Sequence, residues 1–598
     1  MTLLQARDLV TTFHTAGGPV EAVRDVSFDL DAGETLALVG ESGSGKSVTA
    51  LSLLNMVRPP GRIERGEVLL DGRDLLKLGE AEMRTVRGGE LSMIFQDPVS
   101  SLNPLLKVRA QLTEAVLAHR RMPRRAAEQR AVELMTRVGI PDPEARLSDH
   151  PLAFSGGMAQ RVMIAMALAG EPKVIIADEP TTALDVTIQA QILELLAELN
   201  RENGTAVILI THNLGIVARL CQRVAVMYKG EIVEQGTTDE IFTAPRHTYT
   251  KELLAATPSL RRPRPPMPAP EKPEPLLEVR ELTKSYRSRG RTLQAVAGVS
   301  FEVGRGETVG LVGESGCGKS TIAKLVLGIE EPTSGHISYG GSPVTGLRGA
   351  AQRAYNSRVQ LVFQNPMSSL NPRMTVGQAI GEPLRVRGSD TSRVAELLEL
   401  VGLPASAAGR YPHEFSGGQR QRIVIARALA VEPELIVCDE AVAALDVSLQ
   451  AQIIALLRDL QARLGLSYLF IGHDLASVRD VSARMLVMYL GEIVESGPSD
   501  EVTATPLHPY AASLLSSVPE PDPQVERERE RIVLRGEVPT PLDPPPGCRF
   551  HTRCPIGPLA RPGRTICRTD KPPLLQVSPG RAAACHFPGE LKEDSCAH

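Results

Sequence analysis

Tryptophan is absent from the 598 residues, and tyrosine and phenylalanine number only 9 and 11. Aromatic stacking platforms for single-stranded nucleic acid are therefore not expected. A basic excess is missing too. The 66 Lys and Arg are outnumbered by 70 Asp and Glu, for a net charge of −4, whereas nucleic-acid-binding chains usually carry a positive surplus. No uncharged apolar run approaches the ~18 residues that a spanning helix needs. Met1 to Asp8 show neither the basic nor the apolar region of a secretory signal. These absences predict a cytoplasmic chain that reaches a membrane only through partners. What is present suffices for large cores. Hydrophobic residues make up 42% and charged residues 23%, an ordinary globular balance, and the length predicts about four structural units.

The sequence repeats itself. Leu3 to Leu9 recurs as Leu276 to Leu282. Gly40-Glu41-Ser42-Gly43-Ser44-Gly45-Lys46-Ser47 recurs as Gly313-Glu314-Ser315-Gly316-Cys317-Gly318-Lys319-Ser320. Phe95-Gln96-Asp97-Pro98 recurs as Phe363-Gln364-Asn365-Pro366, and Ser155-Gly156-Gly157 as Ser416-Gly417-Gly418. Asp178-Glu179 recurs as Asp439-Glu440, and His212 as His473. The offset is 273 at the lysine, 268 at the glutamine and 261 from the serine onward. All the shortening falls between the glycine loop and the Ser-Gly-Gly motif, as expected of a peripheral segment. Between the copies, Arg261 to Pro275 is rich in proline and predicts a semi-rigid spacer with solvated arginines. The boundaries read as 1–258, a linker over 259–275, 276–517, and a tail over 518–598.

The coarse pattern is α/β. Leu36–Val39, Val174–Ala177 and Val207–Ile210 are short apolar runs, suited to strands covered on both faces of a parallel sheet. Ile188, Ile192, Leu195 and Leu199 repeat at helical spacing. Helical segments are expected over 158–169 and 419–430. Functional groups then gather at the carboxyl ends of the strands.

Both glycine loops have the form G-x-x-x-x-G-K-S of a P-loop. Small residues (Gly40, Ser42, Gly43, Gly45; Gly313, Ser315, Gly316, Gly318) let backbone N–H groups wrap phosphates, and the next helix adds its N-terminal dipole. Lys46 and Lys319 should reach the β- and γ-phosphates of ATP, and Ser47 and Ser320 should ligate Mg²⁺, with Thr321 alongside. Asp178 and Asp439 end apolar strands and should also hold Mg²⁺. The next residues, Glu179 and Glu440, should face an attacking water if side chains alternate as in a strand. Alone, Ser-Gly-Gly reads as a helix N-cap. Its place, 23 residues before Asp-Glu in both copies, gives it meaning.

Taken together, these motifs resemble the ATP-binding cassette (ABC) ATPases, over both repeats to about residue 518. The resemblance implies two tandem cassettes, each with a RecA-like core and a helical subdomain (roughly 97–165 and 365–425), pairing head to tail within the chain. Each ATP would lie between the P-loop of one copy and the signature of the other (Ser155, Gly156, Gly157; Ser416, Gly417, Gly418, Gln419). It implies that Phe13 and Tyr286, one strand before the P-loop, stack on adenine. Gln96 and Gln364 would touch Mg²⁺ or water. Ala183-Leu184-Asp185 and Ala444-Leu445-Asp446 would be the D-loops, and His212 and His473 the switch histidines. The copies differ at Met158 against Gln419, at Ala441 in place of a proline, and at Gly472-His473-Asp474 against Thr211-His212-Asn213. None of these removes a phosphate ligand or a carboxylate, so two hydrolysis-competent sites are expected. Cys317 reads as a small residue that fits its loop, with thiol-reagent sensitivity as the consequence.

Gln96 to Pro104 and Gln364 to Pro372 look like the Q-loop extension of the oligopeptide/dipeptide importer ATPases. His247-Thr248-Tyr249-Thr250 and His508-Pro509-Tyr510, Gly536-Glu537-Val538-Pro539 and Pro544 to Pro555 look similar to that subfamily as well. The resemblance implies two transmembrane permease subunits, an extracytoplasmic binding protein acting indirectly, and a place on the cytoplasmic face of the membrane. Peptides are the expected cargo, with nickel chelates, glutathione and oligosaccharides as alternatives. A soluble tandem cassette acting on ribosome or DNA is disfavoured by the charge and the short linker. A metal-binding regulator with vestigial ATPase sites is disfavoured by the two glutamates. Of eight cysteines, Cys221, Cys317 and Cys438 are scattered, and five fall in the last 51 residues. Cys548-x5-Cys554-x12-Cys567-x17-Cys585 could ligate Zn²⁺ or a [4Fe–4S] cluster. The subfamily resemblance favours the cluster over zinc or no metal at all. Cys596, His551 and His586 lie nearby in sequence.

Overall fold

The computed structural model describes every residue except 1, 16, 182–184, 265–273, 289, 389, 444, 535, 537 and 592–598. Ala183, Leu184 and Ala444 of the expected D-loops, most of the spacer, Glu537 and Cys596 therefore lie outside the described residues. Contacts group the chain into two units. One is Met1–Thr257 with Asp446–Ser448 and Pro519–Arg529, and the other is Pro258–Leu445 with Leu449–Val518 and Glu530–His598.

In the first unit the strand Thr35–Val39 is buried along its whole length. It lies between Ala206–Thr211 and Arg223–Tyr228, parallel to both. The six-stranded sheet runs Glu231–Thr237, Arg223–Tyr228, Thr35–Val39, Ala206–Thr211, Val174–Asp178, Leu91–Ile94. Successive side chains of a strand point to opposite faces, and the apolar run divides accordingly. Leu36 and Leu38 join the core shared with the antiparallel sheet of Gly18–Asp31, Thr2–Thr15, Gly61–Leu70 and Arg73–Asp74. Ala37 and Val39 join the core on the other face, continuous with Leu112, Val116, Leu134 and Val162 of the helices Val108–His119, Arg124–Arg137 and Gly156–Ala167. Residues that alternate on one strand thus bind the α/β core to its two flanking layers. Within the first-unit helix Val186–Asn203, Ile192, Leu195 and Leu199 are buried.

The second unit repeats this plan around Thr308–Val312. Its sheet has eight strands, because Arg581–Ala583 and Leu575–Ser578 of the tail continue the edge beyond Glu492–Pro498. Glu495 is fully buried there. Its carboxylate accepts the N–H groups of Leu507 and His508 and pairs with Arg581 at 3.0 Å. Glu234 of the first unit caps Arg246 and His247 in the same way.

Three expectations change. The helices after Ser155 and Ser416 begin two residues earlier than expected, at Gly156 and Gly417, because the serine itself is the cap. The arginines of the spacer are not all solvated. Arg264 donates to the carbonyls of Arg479 and Ser482 and pairs with Asp500, while Arg479 donates to the carbonyls of Leu260 and Arg262. The start of the spacer is therefore docked on the second unit. The tail is also not one piece. Pro519–Arg529 groups with the first unit, where Arg527 pairs with Asp239 at 2.6 Å. Among the described residues no helix is long and apolar enough to cross a membrane.

Removing Arg581 would leave Glu495 as a buried charge held by two backbone N–H groups alone. Arg581→Ala is expected to cost ~3 kcal/mol, read as a lower denaturant midpoint. An unchanged midpoint would show that the pair contributes nothing.

Candidate functional site

Each phosphate loop is the turn between a buried strand and a helix, and its shape depends on two glycines that no other residue can replace. A Cβ on Gly40 would lie 2.3 Å from the Met227 carbonyl, and one on Gly45 2.4 Å from that of Ala22. In the second copy, Gly313 and Gly318 would each approach a carbonyl, of Met488 and Ala295, to 2.2 Å. All four also have positive φ, which disfavours a side chain. Ser42, Gly43, Ser315 and Gly316 form the exposed tips.

The loops close over their lysines. Lys46 Nζ donates to the carbonyls of Gly40 at 2.8 Å and Glu41 at 2.7 Å. Lys319 Nζ donates to those of Gly313 at 2.7 Å and Glu314 at 3.0 Å. Burial holds the Lys46 ammonium below its ordinary pKa, against the pull of Glu179 and Asp178. A buried cation with two carboxylates close by is a strong seat for a polyanion carrying its own divalent counter-ion.

The neighbouring hydroxyl and carboxylate form the second element. Ser47 Oγ donates to Asp178 at 3.1 Å, and Ser320 Oγ to Asp439 at 3.2 Å. Burial pushes the Asp178 carboxyl up to about 6, against the Ser47 hydrogen bond, with the Glu179 charge adding to the rise. Asp439 moves the same way for the same reason. These are hard oxygen donors that a divalent cation would draw into ionised form.

The glutamates follow a different rule from the one expected. Extended alternation does not separate them from the aspartates. Glu179 and Glu440 sit at φ 45° and 49°, a left-handed conformation that costs a non-glycine residue of order 1 kcal/mol. It is held by N–H bonds to the carbonyls of Ile210 and Ile471, each 2.9 Å long. Each carboxylate lies between two partners. Glu179 accepts from Gln96 Nε2 at 2.6 Å and meets His212 Nδ1 at 2.9 Å. Glu440 accepts from Gln364 Nε2 at 2.6 Å, with His473 Nδ1 at 3.6 Å. The neighbouring His473 imidazole, against burial, holds the Glu440 carboxyl below its ordinary pKa. Burial opposes the charge of His473, but Glu440 outweighs it and raises that imidazole.

The structure thus gathers Lys46, Ser47, Gln96, Asp178, Glu179 and His212, and separately their six counterparts. The signature residues stand apart from these hydrogen bonds among the described residues. Ser155 Oγ accepts the N–H of Met158. Ser416 Oγ accepts that of Gln419, whose side chain returns a bond from the Ser416 N–H at 3.0 Å. The Met158 difference thus removes half of a capping box. A Cβ on Gly157 or Gly418 would fall 2.7 Å from Ile188 or Leu449, so the signature helix packs closely on the helix that follows Asp-Glu. Phe13 and Tyr286 lie in the antiparallel sheets, with two further strands, rather than one, between theirs and the loop. Phe13 packs over Gly61, and Tyr286 donates to Glu330 at 2.5 Å.

Two tyrosines were missed as site residues. The Glu41 N–H donates to Tyr249 Oη at 2.9 Å, and the Glu314 N–H to Tyr510 Oη at 3.0 Å. The signal was available, because the two tyrosines are 261 apart, the offset of the Ser-Gly-Gly, Asp-Glu and histidine repeats.

In the tail, Cys548, Cys554, Cys567 and Cys585 line one cavity with Phe550 and Ile556. Burial, together with the neighbouring thiols, pushes Cys548 and Cys554 up to about 12. His551 and His586 each bond a backbone carbonyl, of Cys548 and Asp570. Among the described residues no three Cys, His, Asp or Glu side chains form a group that could hold a metal ion.

Comparison with known proteins then decides the family. The ABC transporter pattern matches residues 23–182 and 296–443, just over half of the chain. The chain belongs to the ABC transporter family. It is an ATPase of the ATP-binding cassette type. The pattern of the oligopeptide/dipeptide transporter C-terminal region matches 233–289 and 494–558, so the subfamily feature occurs after both cassettes, and only the four-cysteine segment is confined to the second. The glutathione import ATP-binding protein GsiA of Pectobacterium atrosepticum is 47% identical over 580 residues, covering 90% of this chain and 93% of that protein. The protein of that name from Escherichia coli strain K12 is 46% identical over 578 residues, with the same coverage. A dimeric ATP-binding cassette solved with ADP and phosphate is 28% identical, covers 39% of this chain and 98% of its own, and has a TM-score of 0.36.

Met158→Gln is expected to complete the first capping box and add ~0.5–1 kcal/mol, seen as a higher denaturant midpoint. No gain would mean that the reciprocal bond is worth nothing at this exposed helix start.

Proposed function

We propose that the chain powers an importer of glutathione or similarly small peptides, hydrolysing ATP at two sites. The observation that carries this reading is the likeness to glutathione import ATP-binding proteins through both cassettes and the tail. It moves the cargo from peptides in general towards a tripeptide. The partners are two permease subunits, with a binding protein outside the membrane acting through them, and the chain sits peripherally on the cytoplasmic face.

The residues have the following roles. Lys46 and Lys319 exchange backbone carbonyls for β- and γ-phosphate oxygens. Ser47 with Asp178, and Ser320 with Asp439, would hold Mg²⁺, which would supply positive charge against the phosphates. Glu179 and Glu440 orient and polarise the attacking water. The partners of Glu179 support that role. The Gln96 amide and the His212 imidazole hold both of its oxygens, which fixes its direction before nucleotide enters. Gln96 and Gln364 are also the residues placed to pass the state of the site to a permease. Phe13 and Tyr286 offer an aromatic face to adenine. The signature residues Ser155–Gly157 and Ser416–Gln419 complete the site of the opposite cassette, as the family resemblance implies.

For the tail we propose a [4Fe–4S] cluster on Cys548, Cys554, Cys567 and Cys585. The support is the donor set, four thiols around one apolar cavity. One of them, Cys585, accepts the backbone N–H of Phe587 at 3.3 Å. Such a bond favours a metal-bound thiolate.

Two experiments test this. Because the two sites are proposed to turn over together in one paired unit, Glu179→Gln and Glu440→Gln, made separately, are each expected to lower ATPase activity of the anaerobically purified chain by at least ~100-fold. If one leaves activity intact, that site is not catalytic. Cells carrying either variant in place of the native chain should also fail to take up labelled glutathione. Undiminished uptake would overturn the cargo. For the tail, about four irons per chain and broad absorption near ~400 nm are expected, and a colourless zinc-containing chain would contradict the cluster.

A further inference from the structure

The cysteine segment reaches the second phosphate loop through a buried ion pair. Arg553, the residue before Cys554, places its guanidinium 3.1 Å from Glu314 Oε2, with a second contact of 3.5 Å to Oε1. The side chains are 3% and 2% exposed. Glu314 immediately follows Gly313 in the loop, and all three of its polar groups are engaged. Its N–H donates to Tyr510, its carbonyl accepts from Lys319, and its carboxylate takes Arg553. The first loop has only the backbone half of this arrangement. Glu41 bonds Tyr249 and Lys46 equivalently, but it is half-exposed, and among the described residues no ion pair reaches it.

A second arginine acts nearby. Arg549, the residue after Cys548, bonds the Leu490 carbonyl, Gln294 Oε1 at 2.8 Å and Glu492 at 3.0 Å. These residues flank the loop, since the Gly491 N–H donates to the Cys317 carbonyl. Phe550, between the two arginines, packs edge-on against Tyr489 at 5.2 Å and Tyr510 at 5.4 Å. The segment from Cys548 to Cys554 thus presents two cations and a ring to the underside of the second loop.

We propose that Arg553 is a positioning residue for the second ATP site, setting through Glu314 the carbonyl cage of Lys319. A buried carboxylate that loses a guanidinium 3.1 Å away is no longer held in place, and Glu314 cannot move without shifting the carbonyl that Lys319 holds. The cysteine segment thereby tunes nucleotide affinity at one site of the two. This rests on the reading of the second loop as an ATP site.

The test is binding of a fluorescent ATP analogue to the full chain in a Lys46→Ala background, where the second loop alone binds. Arg553→Met and Glu314→Gln should each weaken binding at least ~5-fold. The double variant should be no weaker than either single one, since both break one interaction. Arg553→Lys should recover most of the affinity. In a Lys319→Ala background Arg553→Met should leave binding at the first loop unchanged, which a general loss of folding would not. If Arg553→Met disrupts folding, Glu314→Gln with and without Arg553→Lys provides the same comparison. Unaltered affinity in Arg553→Met and Glu314→Gln, or equal weakening at both loops, would overturn the proposal. A Lys46→Ala chain that binds no nucleotide would overturn the reading of the loop itself, and the proposal with it.

Discussion

Lys46 and Lys319 are cations with 6% and 4% of their surface exposed, and charge so buried must be held by oxygen within hydrogen-bond reach. Backbone carbonyls at the start of each loop do this. Carbonyls can converge only if the chain doubles back sharply, so glycines stand where a Cβ would collide with Met227, Ala22, Met488 or Ala295. The turn must also be anchored, which explains the buried central strand before it and the tyrosine hydroxyls behind Glu41 and Glu314. The carboxylates Asp178 and Glu179 lie close enough to favour the charge of Lys46. One constraint, a buried lysine, accounts for strand, turn, helix and site together.

The two cassettes meet that constraint in unequal surroundings. The first has a half-exposed Glu41, a signature helix with half a capping box, and a six-stranded sheet. The second has a Glu314 locked by Arg553, a complete box, and a sheet extended by two strands of the tail. The glutamine contacts are the same in both copies, Gln96 and Gln364 donating at 2.6 Å, while the histidine stands 2.9 Å from Glu179 and 3.6 Å from Glu440. The difference lies in what supports each loop. That arrangement suits a chain with one type of chemistry and two independently adjustable affinities.

Local and repeated features were legible in the sequence. The apolar strands, the loops, the Asp-Glu pairs and the histidines recur at fixed offsets, and each is a short-range pattern with a physical cause. Three kinds of feature were not. The left-handed turn at Glu179 was read as pleated strand, because no glycine marks it and the conformation is imposed by a hydrogen bond to Ile210. The docking of Arg264 and the pairing of Arg553 with Glu314 join residues more than 200 positions apart, and no periodicity encodes such pairs. The four-cysteine segment has no second copy to reveal what is constant in it, so its strands were invisible. Tyr249 and Tyr510 fall between these cases, since their offset was readable and only their target was not.

The central claim is that both loops, and not one, are built to hold ATP. Counting nucleotides bound at saturation by the full chain carrying Glu179→Gln and Glu440→Gln together, with Mg²⁺ present, tests it most directly. Without hydrolysis each loop retains what it binds. Two ATP per chain is the predicted result, and a single ATP per chain would contradict it.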